Sequence, residues 1–157
     1  MKKFIDLISD CLGDVGEIMP WDLQERMEAN PDILVVDVRE PYEYEAMHIP
    51  GSLSAPRGIL ESACEWDYEE TIPELVKARD REVVVVCRSG YRSVLSAFSM
   101  KMLGFQNVVS LKTGLRGWND FEQPLVDGRE NPVDVDDAEE YFTPHLRDDQ
   151  LRPKSPA

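Results

Sequence analysis

Residues 83–93 read VVVVCRSGYRS, a run of four valines that ends at a cysteine. The valines do not alternate with polar residues, so the run predicts a strand that is buried on both faces. Residues 33–36 (ILVV) follow the same pattern, and residues 107–111 form a third candidate strand. A helix interior is the competing interpretation, but both runs are too short and too β-branched for a buried helix. The pattern therefore predicts a parallel sheet that is covered by helices.

Helical segments are expected between these strands. The clearest covers residues 92–103, where Leu95, Phe98 and Met102 form one apolar stripe and Gly104 is placed as a C-terminal cap. A short strand is expected at residues 52–55. The other predicted helices cover residues 4–12, 20–28, 69–79 (a pair, or one helix bent at Pro73) and 114–121. The alternation of strands and helices predicts an α/β domain.

The length of 157 residues suits one globular domain with short additions at its ends. We assign residues 1–16 to an N-terminal helical extension and residues 17–126 to the domain. Residues 127–157 hold nine acidic and four basic residues, with no convincing helix or strand pattern. We expect an acidic C-terminal tail that is either solvated and disordered or anchored through Tyr141, Phe142 and Leu146.

The composition disfavours several classes of function. A formal net charge of −14 opposes binding to nucleic acid and to anionic membranes, although a local basic pocket can still bind a small anion. No apolar run approaches the roughly 20 residues of a membrane span. Residues 1–12 are interrupted by polar side chains and do not form a signal-peptide core, so we expect a cytoplasmic location. Thiols stay reduced in the cytoplasm, so the three cysteines do not predict a disulfide framework. No cysteines and histidines have the spacing of metal ligands, so the sequence does not predict a metal site.

The loop after the valine run carries a candidate nucleophile. In a parallel α/β sheet, ligands bind at the carboxyl ends of the strands, and Cys87 lies there, just before a helix. Cysteines at a helix N-terminus can have pKa values of about 3.5–7.5 instead of about 8.5. Gly90 allows the loop to curl with positive φ, and Arg88 and Arg92 add charges suited to an oxyanion such as thiosulfate. One of the two arginines could instead hold the loop through a salt bridge.

Three segments together resemble the rhodanese domain over about residues 17–126. The loop Cys87–Arg92 looks like the active-site loop of that family. Residues 37–44 (DVREPYEY) with 48–51 (HIPG) are similar to its first signature, and residues 114–118 (GLRGW) to its last. The chain departs from the family pattern at Met47, where glycine is common, and at Thr113, where the family often has a first of two glycines. Both departures fall at structural positions.

The resemblance implies a rhodanese-like five-stranded parallel sheet flanked by helices on both faces. It also implies a sulfurtransferase with a ping-pong reaction, in which Cys87 becomes a persulfide and needs no cofactor. Arg88 would help to bind a small anionic sulfur donor, thiosulfate or a persulfide. The amides of the loop would cradle the transferred sulfur, at residues Arg88, Ser89, Gly90, Tyr91 and Arg92. The acceptor would be cyanide, a small thiol or a cysteine of a partner protein.

Three further residues are candidates for the pocket. Asp37 and Arg39 follow a predicted strand and either shape the pocket or form a buried ion pair that holds the strand end. Arg57 follows the short strand at residues 52–55 and could add to the anion site. His48 is expected to hydrogen-bond the backbone of a turn, and Cys64 is a weaker candidate for resolving a persulfide.

Two other functions remain open at this point. A phosphatase or arsenate reductase of the cysteine-loop kind needs five residues between its cysteine and its arginine, whereas four separate Cys87 from Arg92. A non-enzymatic rhodanese-like module that binds a partner or carries sulfur is the second alternative, although such modules commonly lose the cysteine. Measuring the activity of the protein on an aryl phosphate and on thiosulfate would distinguish a phosphatase from a sulfurtransferase.

Overall fold

A computed structural model describes residues 1–155, and the sheet within it confirms the predicted α/β class. Five strands pair in the order β1-β5-β4-β2-β3, and each neighbouring pair is parallel. The strands are β1 (Gly16–Ile18), β2 (Leu34–Asp37), β3 (Leu53–Ser54), β4 (Glu82–Val86) and β5 (Asn107–Leu111).

Helices cover both faces of this sheet, as expected. They are α1 (Phe4–Cys11), α2 (Pro20–Ala29), α3 (Pro41–Ala46), α4 (Leu60–Ala63), α5 (Pro73–Val76), α6 (Arg92–Met102), α7 (Gly114–Asp120) and α8 (Val135–Phe142). Short 3-10 turns occupy Arg57–Ile59 and Asp148–Gln150. No helix within residues 1–155 combines the length and apolar character that crossing a membrane requires.

The valine run forms the central strand of the sheet, β4, which lies between β2 and β5. All four valines are fully buried. Val83 and Val85 contribute to one core, which includes Ile8 of α1 and Val94 of α6. Val84 and Val86 face the opposite way, into a second core formed with α2, α7 and α8. An apolar side chain at every position is therefore what a strand covered on both faces requires.

Two local predictions were wrong in detail, and one strand was missed. Within residues 69–79 only Pro73–Val76 is helical, and this helix is a single turn that begins at Pro73. Helix α6 buries Val94, Ala97 and Met100 against the sheet, whereas Met102 of the predicted stripe is 74% exposed. Small side chains on this face let the helix lie close to the sheet. The edge strand β1 was not predicted at all, since three residues give too short a pattern.

The expectation of a tail without helix or strand is wrong for residues 135–142. Asp134 caps α8 by accepting hydrogen bonds from the amides of Asp136 and Asp137, and Ala138 and Phe142 are buried in the second core. Acidic side chains in the first turn favour the positive end of the helix dipole, so the acidity supports this helix. Of the proposed anchors, Phe142 is buried, Tyr141 is half-buried and Leu146 is exposed. Residues 156 and 157 of the predicted tail lie outside the described residues.

The start of α7 touches the loop that follows β4. The amide of Leu115 donates to the carbonyl of Cys87 at 2.9 Å, and the amide of Arg116 donates to that of Arg88 at 3.1 Å. Gly114 precedes them with φ +61°, and a Cβ at this position would lie 2.5 Å from the carbonyl oxygens of Cys87 and Arg88. Only glycine allows the two segments to approach this closely.

Replacing Gly114 by alanine is therefore expected to lower the free energy of unfolding by at least about 2 kcal/mol, because a backbone must move and the positive φ becomes strained. Urea unfolding followed by circular dichroism measures the loss. Gly13→Ala is the matched control, since a Cβ at Gly13 meets no atom within 4 Å. Equal stabilities of the two variants would contradict the proposed close contact.

Candidate active site

Cys87 lies between the end of β4 and the start of α6, and its sulfur is surrounded by donors. The backbone amide of Gly90 donates to Cys87 Sγ at 3.2 Å, and that of Ser93 at 3.3 Å. Gly90 has φ +89°, which turns the loop back toward the sulfur. Hydrogen bonds of this kind favour negative charge on the atom that accepts them. The loop therefore has the geometry of a site for an anionic sulfur.

Further amides of the same loop have no hydrogen-bond partner among the residues that the structure describes. Within residues 1–155, the amides of Arg88, Ser89, Tyr91 and Arg92 donate no hydrogen bond to a protein atom. Backbone N–H groups without a partner at such a site are available to an anionic ligand. In the predicted cradle of residues 88–92, the amide of Gly90 thus donates to the Cys87 sulfur, and the other four amides are available to a ligand.

A buried pair of hydroxyl groups extends from the sulfur into the sheet. Ser93 Oγ lies 3.3 Å from Cys87 Sγ and 2.7 Å from Ser110 Oγ, and both serines are fully buried. A thiol would donate to Ser93, whereas a thiolate would accept from it. The sequence analysis did not identify either serine as functional. Ser93 could have been found from its place in the first turn after the loop, but Ser110 gives no signal within β5.

Arg92 is held in an ion pair and does not point to a free anion site. Its guanidinium donates two hydrogen bonds to the Glu43 carboxylate, at 2.8 and 2.9 Å. Burial alone raises the pKa of Glu43, but the hydrogen bonds from Arg92 and the Glu40 amide outweigh it, so this pKa lies below its ordinary value. Of the two arginines in the loop, Arg92 is therefore the one that forms a salt bridge. Glu43 was missed, although it lies within the segment 37–44.

Arg88 is oriented by the C-terminal part of the chain. One of its terminal guanidinium nitrogens donates to the carbonyl of Phe142, at the end of α8, at 2.8 Å. Phe142 is buried, so this carbonyl has a fixed position. A neutral carbonyl leaves the charge of Arg88 uncompensated, in contrast to the carboxylate that neutralises Arg92. Arg88 thus supplies the net positive charge beside Cys87.

Asp37 and Arg39 form a fully buried ion pair with an N–O distance of 2.8 Å. Arg39 also donates to the carbonyl of Met47 at 2.7 Å, which ties the end of β2 to the segment after α3. These contacts match the interpretation of a structural ion pair, and neither residue lines the cavity at Cys87. Arg57 is exposed and does not line that cavity either. His48 hydrogen-bonds the carbonyl of Tyr44 through Nδ1, as expected for a turn.

A small cavity of about 130 Å³ gives access to the sulfur. Its lining comprises Phe4, Cys87, Arg88, Ser89, Tyr91 and Arg92. Cys87 is only 1% exposed, and the rings of Phe4 and Tyr91 meet edge to face beside it with centroids 5.9 Å apart. A donor therefore reaches the sulfur through a narrow space with one aromatic wall. Phe4 is a further residue of the site that the sequence analysis did not connect to the loop.

The other two cysteines do not share these features. Cys64 is buried in the first core, and burial raises its pKa to about 11, so it is a neutral thiol near pH 7. Cys11 packs against the same core from α1. Residues 1–155 contain no cluster of three or more His, Cys, Asp or Glu side chains arranged to hold a metal ion.

The comparisons with known proteins agree on one protein family. Residues 19–121 match the family model described as rhodanese-like domain. The chain is 31% identical to the "Sulfurtransferase" of Allochromatium vinosum over 112 residues, which cover 71% of this chain and 95% of that one. It is also 31% identical to the "Putative sulfur carrier protein YrkF" of Bacillus subtilis over 118 residues, covering 75% of this chain and 58% of YrkF. The chain thus spans little more than half of that relative.

A solved structure shares the fold. A protein of Rhodopseudomonas palustris, described as of unknown function and "Possible Tyrosine Phosphatase", aligns with a TM-score of 0.72 and 25% identity. The alignment covers 79% of this chain and 94% of that one.

The ion pair between Glu43 and Arg92 leads to a pH-dependent prediction. Glu43→Gln leaves Arg92 without its counter-charge and is expected to cost about 2 kcal/mol of stability at pH 7, since the pair is largely buried. Because the pKa of Glu43 is lowered in the folded chain, its contribution is complete above the unfolded value of about 4.3 and is lost as the pH falls further. The difference between wild type and variant should therefore shrink below about pH 4.3.

Urea unfolding at a series of pH values measures this difference. Glu74→Gln is the matched control, because Glu74 forms a more exposed ion pair with Arg81 at 3.4 Å. Surface pairs of that kind contribute about 0–1 kcal/mol. A Glu43→Gln variant as stable as Glu74→Gln at pH 7 would show that the pair does not support the loop.

Proposed function

The chain belongs to the rhodanese-like domain family of sulfurtransferases and sulfur carriers, and we propose that it transfers sulfane sulfur through a persulfide on Cys87. The observation that carries this proposal is the environment of the Cys87 sulfur. Two amides and one hydroxyl already contact Sγ, and the amides of Arg88, Ser89, Tyr91 and Arg92 have no partner in the part of the chain that the structure describes, residues 1–155. A second anionic sulfur, attached to the first, would find donors there.

The proposed reaction has two balanced halves. In the first, the Cys87 thiolate attacks the sulfane sulfur of an anionic donor such as thiosulfate. A new S–S bond forms, the S–S bond of the donor breaks, and sulfite leaves with the electron pair. In the second, an acceptor nucleophile attacks the outer sulfur and the Cys87 thiolate is the leaving group. No cofactor is needed, since the cysteine itself carries the sulfur.

The charges around the cavity support an anionic donor. Arg88 keeps its net charge because its partner is a carbonyl, whereas Arg92 is neutralised by Glu43. Arg88 is therefore the residue we assign to the leaving oxyanion, and Arg92 serves as a positioning residue for the loop. This division differs from a site with two free guanidinium groups, because only one guanidinium is available to the donor.

A second function, phosphate-ester hydrolysis, is less compatible with these contacts. The loop from Cys87 to Arg92 is one residue shorter than a phosphatase loop. Both terminal guanidinium nitrogens of Arg92 bind the Glu43 carboxylate, so a phosphate would have to displace a buried counter-charge. A non-enzymatic module that only binds a partner would need neither Cys87 nor the donors around it, whereas a module that carries sulfur would use both. The cytoplasmic location stays a prediction from the sequence.

Incubation with thiosulfate should add one sulfur atom to the wild-type chain. Intact mass spectrometry after removal of excess donor measures the gain, and a cyanide treatment should remove it. Cys87→Ser is expected to gain nothing, because no other cysteine has this environment. Cys64→Ser and Cys11→Ser are the controls and should gain the same mass as the wild type.

Sulfur gained by Cys87→Ser, or hydrolysis of an aryl phosphate without any sulfur transfer from thiosulfate, would contradict the proposed function.

The physiological acceptor is proposed to be a thiol on a partner protein, and cyanide is a surrogate. Cys87 itself is 1% exposed, but a persulfide places the reactive sulfur about 2 Å further out, in the cavity. We expect at least one small sulfur carrier protein with an exposed cysteine to accept the sulfur with a kcat/KM about tenfold above that of cyanide. Rapid mixing of the preloaded chain with each acceptor measures the rates. Cyanide outperforming every protein thiol tried would disprove the relay.

A further inference from the structure

Phe4 of α1 lines the cavity at Cys87, although it lies outside residues 19–121 that match the family model. We propose that Phe4 determines substrate specificity by forming an apolar wall for the carbon group of an organic sulfur donor. The class we assign is an organic thiosulfonate, in which an apolar group is attached to the sulfonyl sulfur that carries the transferable sulfur. This inference rests on the proposed function of Cys87 and narrows its donor.

The position of Phe4 is fixed by the helix that carries it. Ile8, one turn further along α1, is 3% exposed and lies in the first core with Val94 of α6. After the helix, the carbonyl of Asp14 accepts a hydrogen bond from Lys101 Nζ of α6 at 2.7 Å. Two contacts thus hold α1 against α6, the helix that begins at the active-site loop. The backbone of Phe4 is therefore held beside the active-site loop, where its side chain lines the cavity.

The cavity has one cationic side and one aromatic side. Arg88 supplies the positive charge, while the rings of Phe4 and Tyr91 meet at an interplanar angle of 84°. Despite this contact, Phe4 remains 52% exposed and Tyr91 46% exposed. A second groove of about 240 Å³ shares Ser89 and Tyr91 with this cavity, and its lining includes Ile5 and Ile8 of α1, Leu12, and the polar residues Glu17, Lys112 and Thr113. The cavity at the sulfur is therefore adjoined by a groove that has apolar side chains on the side of α1.

An inorganic donor makes no use of this wall. Thiosulfate is charged and strongly hydrated, so contact with aromatic rings removes water from it without a compensating gain. An organic thiosulfonate places its anionic sulfonyl oxygens toward Arg88 and its carbon group against Phe4, where apolar surface is buried. Cys87 attacks its sulfane sulfur, the bond to the sulfonyl sulfur breaks, and a sulfinate leaves with the electron pair. No further reactant is needed.

The test compares methanethiosulfonate, benzenethiosulfonate and thiosulfate as donors for the full chain. The first two share the reacting group and differ in apolar surface. In the wild type, kcat/KM is expected to be about tenfold higher for the benzene compound, as burial of about 60 Å² of apolar surface predicts. Phe4→Ala should bring the ratio of the two thiosulfonates close to one, and thiosulfate reports how far the variant changes the reaction of a donor without a carbon group.

Leu7→Ala is the matched control. Leu7 lies on the same helix and is 44% exposed, but it lines neither the cavity nor the groove, so the ratio should stay at its wild-type value. A ratio that Phe4→Ala leaves unchanged would overturn the inference. A higher ratio in Phe4→Ala would overturn it too, because Phe4 would then be a steric barrier. Phe4→Leu, which keeps an apolar side chain, should give an intermediate ratio.

A second measurement separates this inference from the function on which it rests. Alkylation of Cys87 by iodoacetamide and by iodoacetanilide, quantified on the Cys87 peptide, reports the same apolar preference without sulfur transfer. If the anilide preference depends on Phe4 but no donor loads sulfur, the apolar wall is supported and the sulfurtransferase proposal fails. If every donor loads sulfur and neither ratio depends on Phe4, the apolar wall fails alone.

Discussion

The burial of β4 between β2 and β5 is the constraint on which the site depends. Hydrogen bonds on both edges and apolar cores on both faces hold this strand in place. The position of Cys87, which directly follows its last residue, is therefore fixed as well. From there the chain must turn back within three residues for the Gly90 amide to reach the sulfur, which requires φ +89°. Gly114 holds the outside of this turn at a distance that excludes any side chain. The sulfur is thus placed by backbone geometry.

The charged residues around this turn divide into structural and chemical roles by their partners. Asp37 with Arg39, and Glu43 with Arg92, form ion pairs that brace neighbouring segments and cancel their own charge. Arg88 binds only a carbonyl and retains its charge. The five charged residues near the loop therefore leave one effective positive charge. Counting the arginines from the sequence alone would overestimate the positive charge of the site. The distinction follows from whether the partner atom is itself charged.

Both ends of the chain reach the active-site loop from outside residues 19–121. The N-terminal helix α1 brings Phe4 to the cavity, and the C-terminal helix α8 brings the carbonyl of Phe142 to Arg88. Each helix is anchored by a buried apolar residue in a different core, Ile8 in one and Phe142 in the other. The shared fold therefore supplies Cys87 and the donors around its sulfur, while the terminal helices of this chain complete the cavity wall and orient Arg88.

The sequence by itself determined the α/β class, the central strands and the place of Cys87. These features follow from local patterns, since an unbroken β-branched run identifies a strand covered on both faces, and a cysteine, glycine and helix start follow it directly. Only the tertiary structure decided that Arg92 pairs with Glu43, that Ser110 hydrogen-bonds Ser93, and that Phe4 lines the cavity at Cys87. Their partners lie 49, 17 and more than 80 residues apart in the chain. Such contacts leave no periodicity to detect, because they depend on how separate elements pack.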